Sequence, residues 1–291
     1  MKLAIKVDVD TYRGTRDGVP RLVDLLKKHH AGATFLFSLG PDHTGRAIRR
    51  VFRKNFLQKV SRTSVLEHYG IRTLLYGTLL PGPDIGAACA DVMRSARADG
   101  FEVGIHCWDH VRWQDFVAVE HADWTEREME RAFDRYESIF SVEAHVWGAA
   151  GWQTNRYAAW VQEQRCAYAS DTRGRGPFRP LWDGVALGSP QFPTTLPTLD
   201  ELVGLQDDPT QHLLGLTVEP KNHVFTAHAE LEGGKLAGLF ERLLAGWKQQ
   251  GYELVDLRTL VEATDLDALP HNEVIYGEVP GRSGTLALQG D

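Results

Sequence analysis

Apolar and polar positions along this chain keep two periods, and the periods alternate. Leu3-Ala4-Ile5-Lys6-Val7 is a short apolar run of strand length, whereas Val19–His29 places Val19, Leu22, Val23, Leu25 and Leu26 at helical spacing. Ala33–Leu39, with Phe35 and Phe37 alternating, predicts a second strand. Asp84–Asp99 reads as a helix stopped by Gly100 in a left-handed cap, and Phe101–His106 as the strand after it. Thr125, with Glu128 at the capping-box position, opens a helix running to about Phe140. His145–Trp147, Ala167–Ser170, Val224–His228 and Glu253–Asp256 are further strand candidates, with helices at Asn155–Gln164 and Lys235–Gln250 between them. Repeated strand–helix alternation implies parallel pairing, hence an open doubly wound sheet or a closed α/β barrel.

The chemistry-bearing residues fall where those folds place their sites, at strand carboxyl ends. Asp8 and Asp10 close the first run, and residues i and i+2 of a strand share a face. His106 and His110 lie four apart and share a face if the segment turns helically. One carboxylate with two imidazoles is an open three-ligand set for a divalent metal (zinc, cobalt, nickel, manganese or iron), and the second carboxylate is then free to act as a base on water. The apolar strand Val224–His228 ends in a further imidazole. Each motif has a plainer reading: paired acids cap helices, spaced histidines sit on solvated faces, and a strand-end histidine packs in a core. Three such ends together favour a metallohydrolase, and titratable groups on several strand ends favour the barrel.

Composition changes this picture little. A chain of 291 residues, 43% hydrophobic, can bury the core of a single α/β barrel. A net charge of −7 does not suggest a nucleic-acid partner. Cys89, Cys107 and Cys166 have neither disulfide nor metal spacing and read as reduced, half-buried thiols. The N-terminus has no signal-peptide apolar region, and no stretch is long enough to span a bilayer. The expectation is a cytoplasmic protein that does not cross the membrane by itself.

The ordered set formed by Asp8-Val-Asp10, His106-Cys-Trp-Asp-His110, the Ala150-Gly-Trp152 loop, Ser170-Asp171 and the late strand-end His228 resembles the polysaccharide deacetylase family, also called NodB-homology or carbohydrate esterase 4. The resemblance spans residue 1 to about 260. It implies a distorted (β/α)7 barrel with one metal ion. By that resemblance Asp8 is the general base, Asp10, His106 and His110 hold the metal, His228 is the general acid, and a backbone N–H near Thr11 faces the oxyanion. The runs Asp8–Arg16, Gly18–Leu22, Val103–His110, Ala149–Trp152 and Thr195–Thr198 narrow it. They resemble the branch that removes formate from an aminosugar carried on undecaprenyl phosphate, in the aminoarabinose modification of lipid A. An N-deacetylase of another glycan, or a non-catalytic carbohydrate- or lipid-binding barrel, is the alternative. The latter would have lost its base or acid, yet Asp8 and His228 are both present.

One departure stands out. The family places an arginine before the loop that orients the catalytic aspartate, and Gly148–Trp152 has none, so Arg173 is the candidate for that contact. Asp171 is expected to support a His228 imidazolium, because an adjacent carboxylate favours the charged form. Trp152 is a candidate wall of the sugar pocket.

Residues 43–66 carry Arg46, Arg49, Arg50, Arg53, Lys54, Lys59 and Arg62 without an acid, interleaved with Ile48, Val51, Phe52, Phe56, Leu57 and Val60 near helical spacing. In an acidic chain this fits an interfacial helix on anionic lipid, extended by the apolar Leu74–Leu80. A solvated basic face and a nucleic-acid patch are the alternatives. The expected organisation is a barrel over residues 1–268 with an insertion at about 43–82, a Gly- and Pro-punctuated tail over 269–291, and a peripheral position on the cytoplasmic face of the inner membrane.

Overall fold

The computed structural model describes residues 1–47 and 72–291. Most of the basic amphipathic segment lies outside the described residues. Its flanks are described: Arg46 Nε donates to the Gly77 carbonyl at 3.0 Å. Leu74–Leu80 does not extend a helix. Thr73–Leu75 is a single 3₁₀ turn, in which Leu74 is buried while Leu79 is 80% exposed.

The first five strands run side by side: β1 (Lys2–Val9), β2 (Thr34–Ser38), β3 (Glu102–Cys107), β4 (Val146–Trp147) and β5 (Tyr168–Ala169). With two later strands, His223–His228 and Glu253–Val255, they form a seven-stranded sheet. Every pairing in it is parallel. Helices α1 (Val19–Lys28), α2 (Ile85–Ala98), α3 (His110–Phe116), α4 (Ala122–Phe140) and α5 (Arg156–Arg165) return the chain between strands. The late helix Ala237–Gln249 does the same between the last two.

The sheet curls but does not close with regular strands. Residues 190–195, punctuated by Pro190 and Pro193, fill the gap. Ala169 N–H donates to the Pro190 carbonyl at 2.9 Å and Phe192 N–H to the Ala169 carbonyl at 2.8 Å on one side. Thr195 N–H donates to the Val224 carbonyl at 3.0 Å on the other. The result is a distorted (β/α) barrel.

Period-two alternation sorts β1 between two cores. Leu3, Ile5, Val7 and Val9 join Phe35, Phe37, Ile105 and Phe225 in the layer beneath the helices. Ala4 joins Leu36, Val146, Tyr168, Phe192 and Val224 in a second, smaller core. Lys6, Asp8 and Asp10 continue the Ala4 face, so the interior turns polar toward the carboxyl ends of the strands.

Local starts and stops follow capping chemistry. Asp84 accepts from Ala87 N–H at 2.9 Å at the head of α2, and Gly100 follows its end at φ +91°. Helix α4 begins at Ala122, before the expected Thr125 cap. Thr125 Oγ1 instead accepts from Asn155 Nδ2 at 3.0 Å, and Glu128 pairs with Arg112 and Arg131 at 3.3 and 3.2 Å.

The rest of the chain, within the expected 1–268 range and past it, is ordered around the sheet. β6 (Arg179–Trp182) and β7 (Val185–Ala186) precede two short helices, α6 (Leu199–Leu202) and α7 (Pro209–Leu216). The strand His223–His228 is β8, followed by the one-turn helix α8 (Ala229–Glu232); Ala237–Gln249 is α9 and Glu253–Val255 is β9. After α10 (Leu257–Glu262), the hairpin β10 (His271–Glu278) and β11 (Thr285–Gln289) pairs with β6 in a four-stranded sheet. The sequence pattern gave no element for 175–222 or for the tail.

Candidate active site

Asp8 and Asp10 emerge from β1 on its interior face, and β3 delivers His106 beside them. His106 and His110 do not share a helix: His106 belongs to the strand and His110 is the first residue of α3. Asp109 between them is the N-cap and accepts from Arg112 N–H at 3.1 Å. The other Asp109 oxygen is 2.5 Å from His43 Nδ1. The turn still brings the two imidazoles together, with ring centroids 5.4 Å apart.

Asp10 stands between the rings, Oδ1 3.2 Å from His106 Nε2 and Oδ2 3.4 Å from His110 Nε2. One ligand atom from each of the three lies within 4.8 Å of the others. The hydrogen bonds decide what this set can hold. His106 Nδ1 lies 2.6 Å from the Gly148 carbonyl, which can only accept, so Nδ1 carries the proton. In the neutral ring Nε2 is then a lone pair facing a carboxylate oxygen. Asp10 Oδ1 and Asp8 Oδ1 are both buried without a hydrogen-bond partner among the described residues. Acceptors converging on one point suit a divalent cation, and the Gly148 contact is the outer support that metal-bound histidines use. Burial works against charge on Asp10, but His110 and His106 outweigh it and hold its carboxyl well below the ordinary range. Burial likewise opposes an imidazolium at His106, and Asp8 and Asp10 more than compensate, raising it.

Asp8 is 2% exposed, and its partner is Lys6. Lys6 Nζ, fully buried, sits 3.4 Å from Asp8 Oδ2 and donates to the Ser170 carbonyl at 3.2 Å. The expectation for Arg173 is corrected here: its guanidinium forks onto Glu201 at 2.5 and 3.3 Å and reaches the Leu196 carbonyl at 3.0 Å. Lysine fits where arginine would not, because it comes from the adjacent strand position and needs only a point contact. A lysine inside an apolar strand, two residues before an aspartate on the same face, was the signal that could have found it.

His228 ends β8 opposite this group, and its register against β1 pairs it with Asp8. Asp171 does not support it. The Asp171 carboxylate accepts from Ala149 N–H at 2.8 Å and Gln191 Nε2 at 3.1 Å, and burial raises its pKa. Its work is to tie the 149–152 loop to the closing segment. The carboxylate facing the His228 ring is Asp200, with Oδ1 3.6 Å from Nδ1. Thr198 and Glu201, a capping box at the head of α6, fix Asp200 in the first turn. Burial opposes charge on Asp200, yet Arg282 and His228 together lower its pKa.

Trp152 follows Gly151, and both hold positive φ, +62° and +52°. A left-handed tryptophan is strained by about 1–3 kcal/mol and persists only where its surroundings fix it. Trp152 Nε1 donates to Thr194 Oγ1 at 3.1 Å, and its ring makes a T-shaped contact with the His228 ring, centroids 6.2 Å apart. Lys6, Arg173 and Arg282 lie 5.3, 5.0 and 4.8 Å from its centroid. Trp152 is 2% exposed, so it packs behind the acid more than it lines an open pocket.

Thr11 is also turned inward. Its Oγ1 accepts from Gly14 N–H at 2.9 Å and its carbonyl from Thr15 N–H at 2.9 Å, starting the π-helical turn Gly14–Gly18. A Cβ at Gly14 would lie 2.4 Å from Glu230 Oε2, so a side chain there would displace the Glu230 carboxyl. Glu230 is a buried carboxyl that no motif in the sequence marks. Both its oxygens lack a hydrogen-bond partner among the described residues, and burial, then Asp10, raise its pKa well above the ordinary range.

A family model for polysaccharide deacetylase matches residues 4–165. A Shewanella sediminis protein named "Probable 4-deoxy-4-formamido-L-arabinose-phosphoundecaprenol deformylase ArnD" is 37% identical over 99% of this chain and 94% of its own. A protein of the same name from Wigglesworthia glossinidia brevipalpis is 31% identical over 95% and 98%. Among solved structures, one described as a polysaccharide deacetylase from Mycobacterium smegmatis superposes with a TM-score of 0.63 at 15% identity, over 96% of this chain and 95% of that one. A carbohydrate esterase 4 pseudoenzyme from Bacillus anthracis superposes with a TM-score of 0.51 at 14% identity, over 94% and 69%. These two likenesses concern the fold alone.

Proposed function

The chain belongs to the polysaccharide deacetylase family, and from that premise we propose that it is a metal-dependent amide hydrolase. It removes formate from 4-deoxy-4-formamido-L-arabinose linked to undecaprenyl phosphate, in the aminoarabinose modification of lipid A. The observation that carries the reading is the convergence of Asp8, Asp10, His106 and His110 at the mouth of a barrel whose β8 ends in His228. The two full-length relatives support the deformylase over a generic N-deacetylase.

Asp10, His106 and His110 would hold one divalent cation. Bound there, it would polarise the formyl carbonyl and lower the pKa of the attacking water. Asp8 takes the proton of that water. Lys6 occupies its Oδ2 side and leaves Oδ1 for the transfer. The family role given to a backbone N–H near Thr11 is to receive charge on the carbonyl oxygen. An amine is a poor leaving group, so the C–N bond breaks only as a proton reaches nitrogen. His228 supplies it from Nε2, the ring nitrogen not facing Asp200.

Purified protein given formylated and acetylated lipid-linked sugar should release formate in preference to acetate, and chelation should stop it. Acetate as the preferred product would favour the N-deacetylase. Neither product from metal-loaded protein would favour a binding barrel.

We also read the basic segment as the dock for this substrate on the anionic inner-membrane surface. The support is its charge pattern in an acidic chain and a substrate held in lipid; among the described residues no helix is long and apolar enough to cross a membrane. Charge reversal at Arg49, Arg50 and Arg53 should weaken binding to anionic vesicles by about a hundredfold or more, at on the order of 1 kcal/mol per cation. Wild-type protein that stays off anionic vesicles at low salt would overturn this dock.

A further inference from the structure

The C-terminal hairpin reaches the acid side of the site. Between Glu278 and Thr285, the last pair of the β10–β11 ladder, the chain turns through Gly281 and Gly284 at φ +86° and +81°. The turn is seated on α6: a Cβ at Gly281 would lie 2.9 Å from the Glu201 carbonyl oxygen. From this tip Arg282 points inward. Its Nε donates to Glu201 at 2.8 Å, and its Nη2 donates to Thr198 Oγ1 at 2.9 Å and to Asp200 at 3.1 Å. The guanidinium also lies over the Trp152 ring, which in turn makes a T-shaped contact with the His228 ring.

Asp200 is thereby held between a cation and an imidazole. Its Oδ1 accepts from Thr198 Oγ1 at 2.6 Å and stands 3.6 Å from His228 Nδ1, a nitrogen that is buried without a hydrogen-bond partner among the described residues. The carboxylate cannot swing toward or away from the ring without disturbing Arg282 and Thr198. The rigid guanidinium fork of Arg282 spends Nε on Glu201 and Nη2 on Thr198 and Asp200, tying Asp200 to the rest of its turn in a way a single-point ammonium does not. The backbone of His228 is fixed too, because its main-chain N–H donates to Glu232 Oε2 at 2.7 Å.

We propose that the hairpin is a positioning element for proton delivery: Arg282 orients Asp200, and Asp200 orients and balances the charge of His228. This rests on the reading of His228 as the general acid. Among the described residues no contact joins Asp200 or Arg282 to the metal set or to Asp8, so their removal should leave metal binding and the base intact.

The test compares kcat, KM, metal content and thermal midpoint for Asp200→Asn and Arg282→Gln in wild-type and His228→Ala backgrounds. Orienting partners of functional histidines typically matter 10–100-fold, so Asp200→Asn should lower kcat by about that and Arg282→Gln by roughly threefold to tenfold. KM and metal stoichiometry should hold. In the His228→Ala background both replacements should become nearly silent, because nothing remains for them to orient. Arg282→Lys keeps the charge without the fork and should recover part of the loss; it replaces Arg282→Gln in the comparison if the latter melts early. Unchanged kcat in Arg282→Gln and Arg282→Lys, or a loss that persists undiminished without His228, would overturn the proposal. If His228→Ala itself leaves kcat unchanged, the assignment of the acid has failed instead.

Discussion

The two sides of the site are built differently. The metal-and-base side takes Lys6 and Asp8 from β1, Asp10 from just past its end and His106 from β3, with β2 between the two strands in the parallel sheet, so register sets which side chains meet. The acid side takes His228 from a strand, but its supports come from a capped one-turn helix, a strained loop and the tip of a hairpin far along the chain. Residues 4–165, which match the family model, contain the first side and none of the second beyond Trp152. Rigid, local geometry carries the metal and the base; long-range packing carries the acid. The comparison predicts that damage on the first side will be severe and separable by readout, and that damage on the second will be smaller and coupled.

The largest effect should come from the metal set. His106→Ala or His110→Ala should lower bound metal and turnover together, with turnover falling on the order of a thousandfold, given that a bound Lewis acid contributes several kcal/mol. Full metal occupancy in both variants, measured by elemental analysis, would show that the ligands lie elsewhere.

Asp8→Asn should come next and separate base from metal: metal retained, turnover lower by about 10²–10⁴-fold. Lys6→Met sharpens the same side. It removes the partner of a buried carboxylate, and breaking such a pair costs about 3–5 kcal/mol of stability. Its thermal midpoint should therefore fall clearly while metal is still bound. A Lys6→Met protein as stable and active as wild type would mean that another group balances Asp8.

How much of this the sequence disclosed follows the same division. The apolar runs of β1, β2, β3 and β8 are nearly all buried, so their pattern is plain and the residues at their ends could be named. The register that puts Asp8, Asp10 and His106 together follows from parallel pairing. The segment 190–195 was not legible as a barrel wall, because Pro190 and Pro193 read as loop punctuation although it bonds to strands on both sides. Asp171 stands out in the sequence because it follows a strand candidate, and that position is a poor guide to which carboxylate reaches a ring. The capping-box spacing Thr198–Glu201 was visible, but nothing local says that α6 faces His228. β10 buries only Val274 fully among its eight residues, too weak an alternation to mark the hairpin that brings Arg282.

The smallest effect tests whether the acid side is as tightly packed as its contacts suggest. Glu232 is fully buried, accepts the His228 N–H through Oε2, and has no hydrogen-bond partner for Oε1 among the described residues. Burial raises its pKa to about 7, with His228 opposing the rise. A carboxyl whose folded pKa lies above its unfolded value binds its proton more tightly when folded. Its contribution to stability is therefore complete below the unfolded value of 4.5 and is lost as pH rises through about 7. The loss would be at most on the order of 3 kcal/mol, and less if the helix turn relaxes. Thermal midpoints of wild type should fall between those two pH values, and those of Glu232→Gln, which cannot ionise there, should fall less. Parallel profiles for the two proteins would mean that Glu232 ionises as freely in the fold as in the open chain, and that the floor beneath His228 admits water.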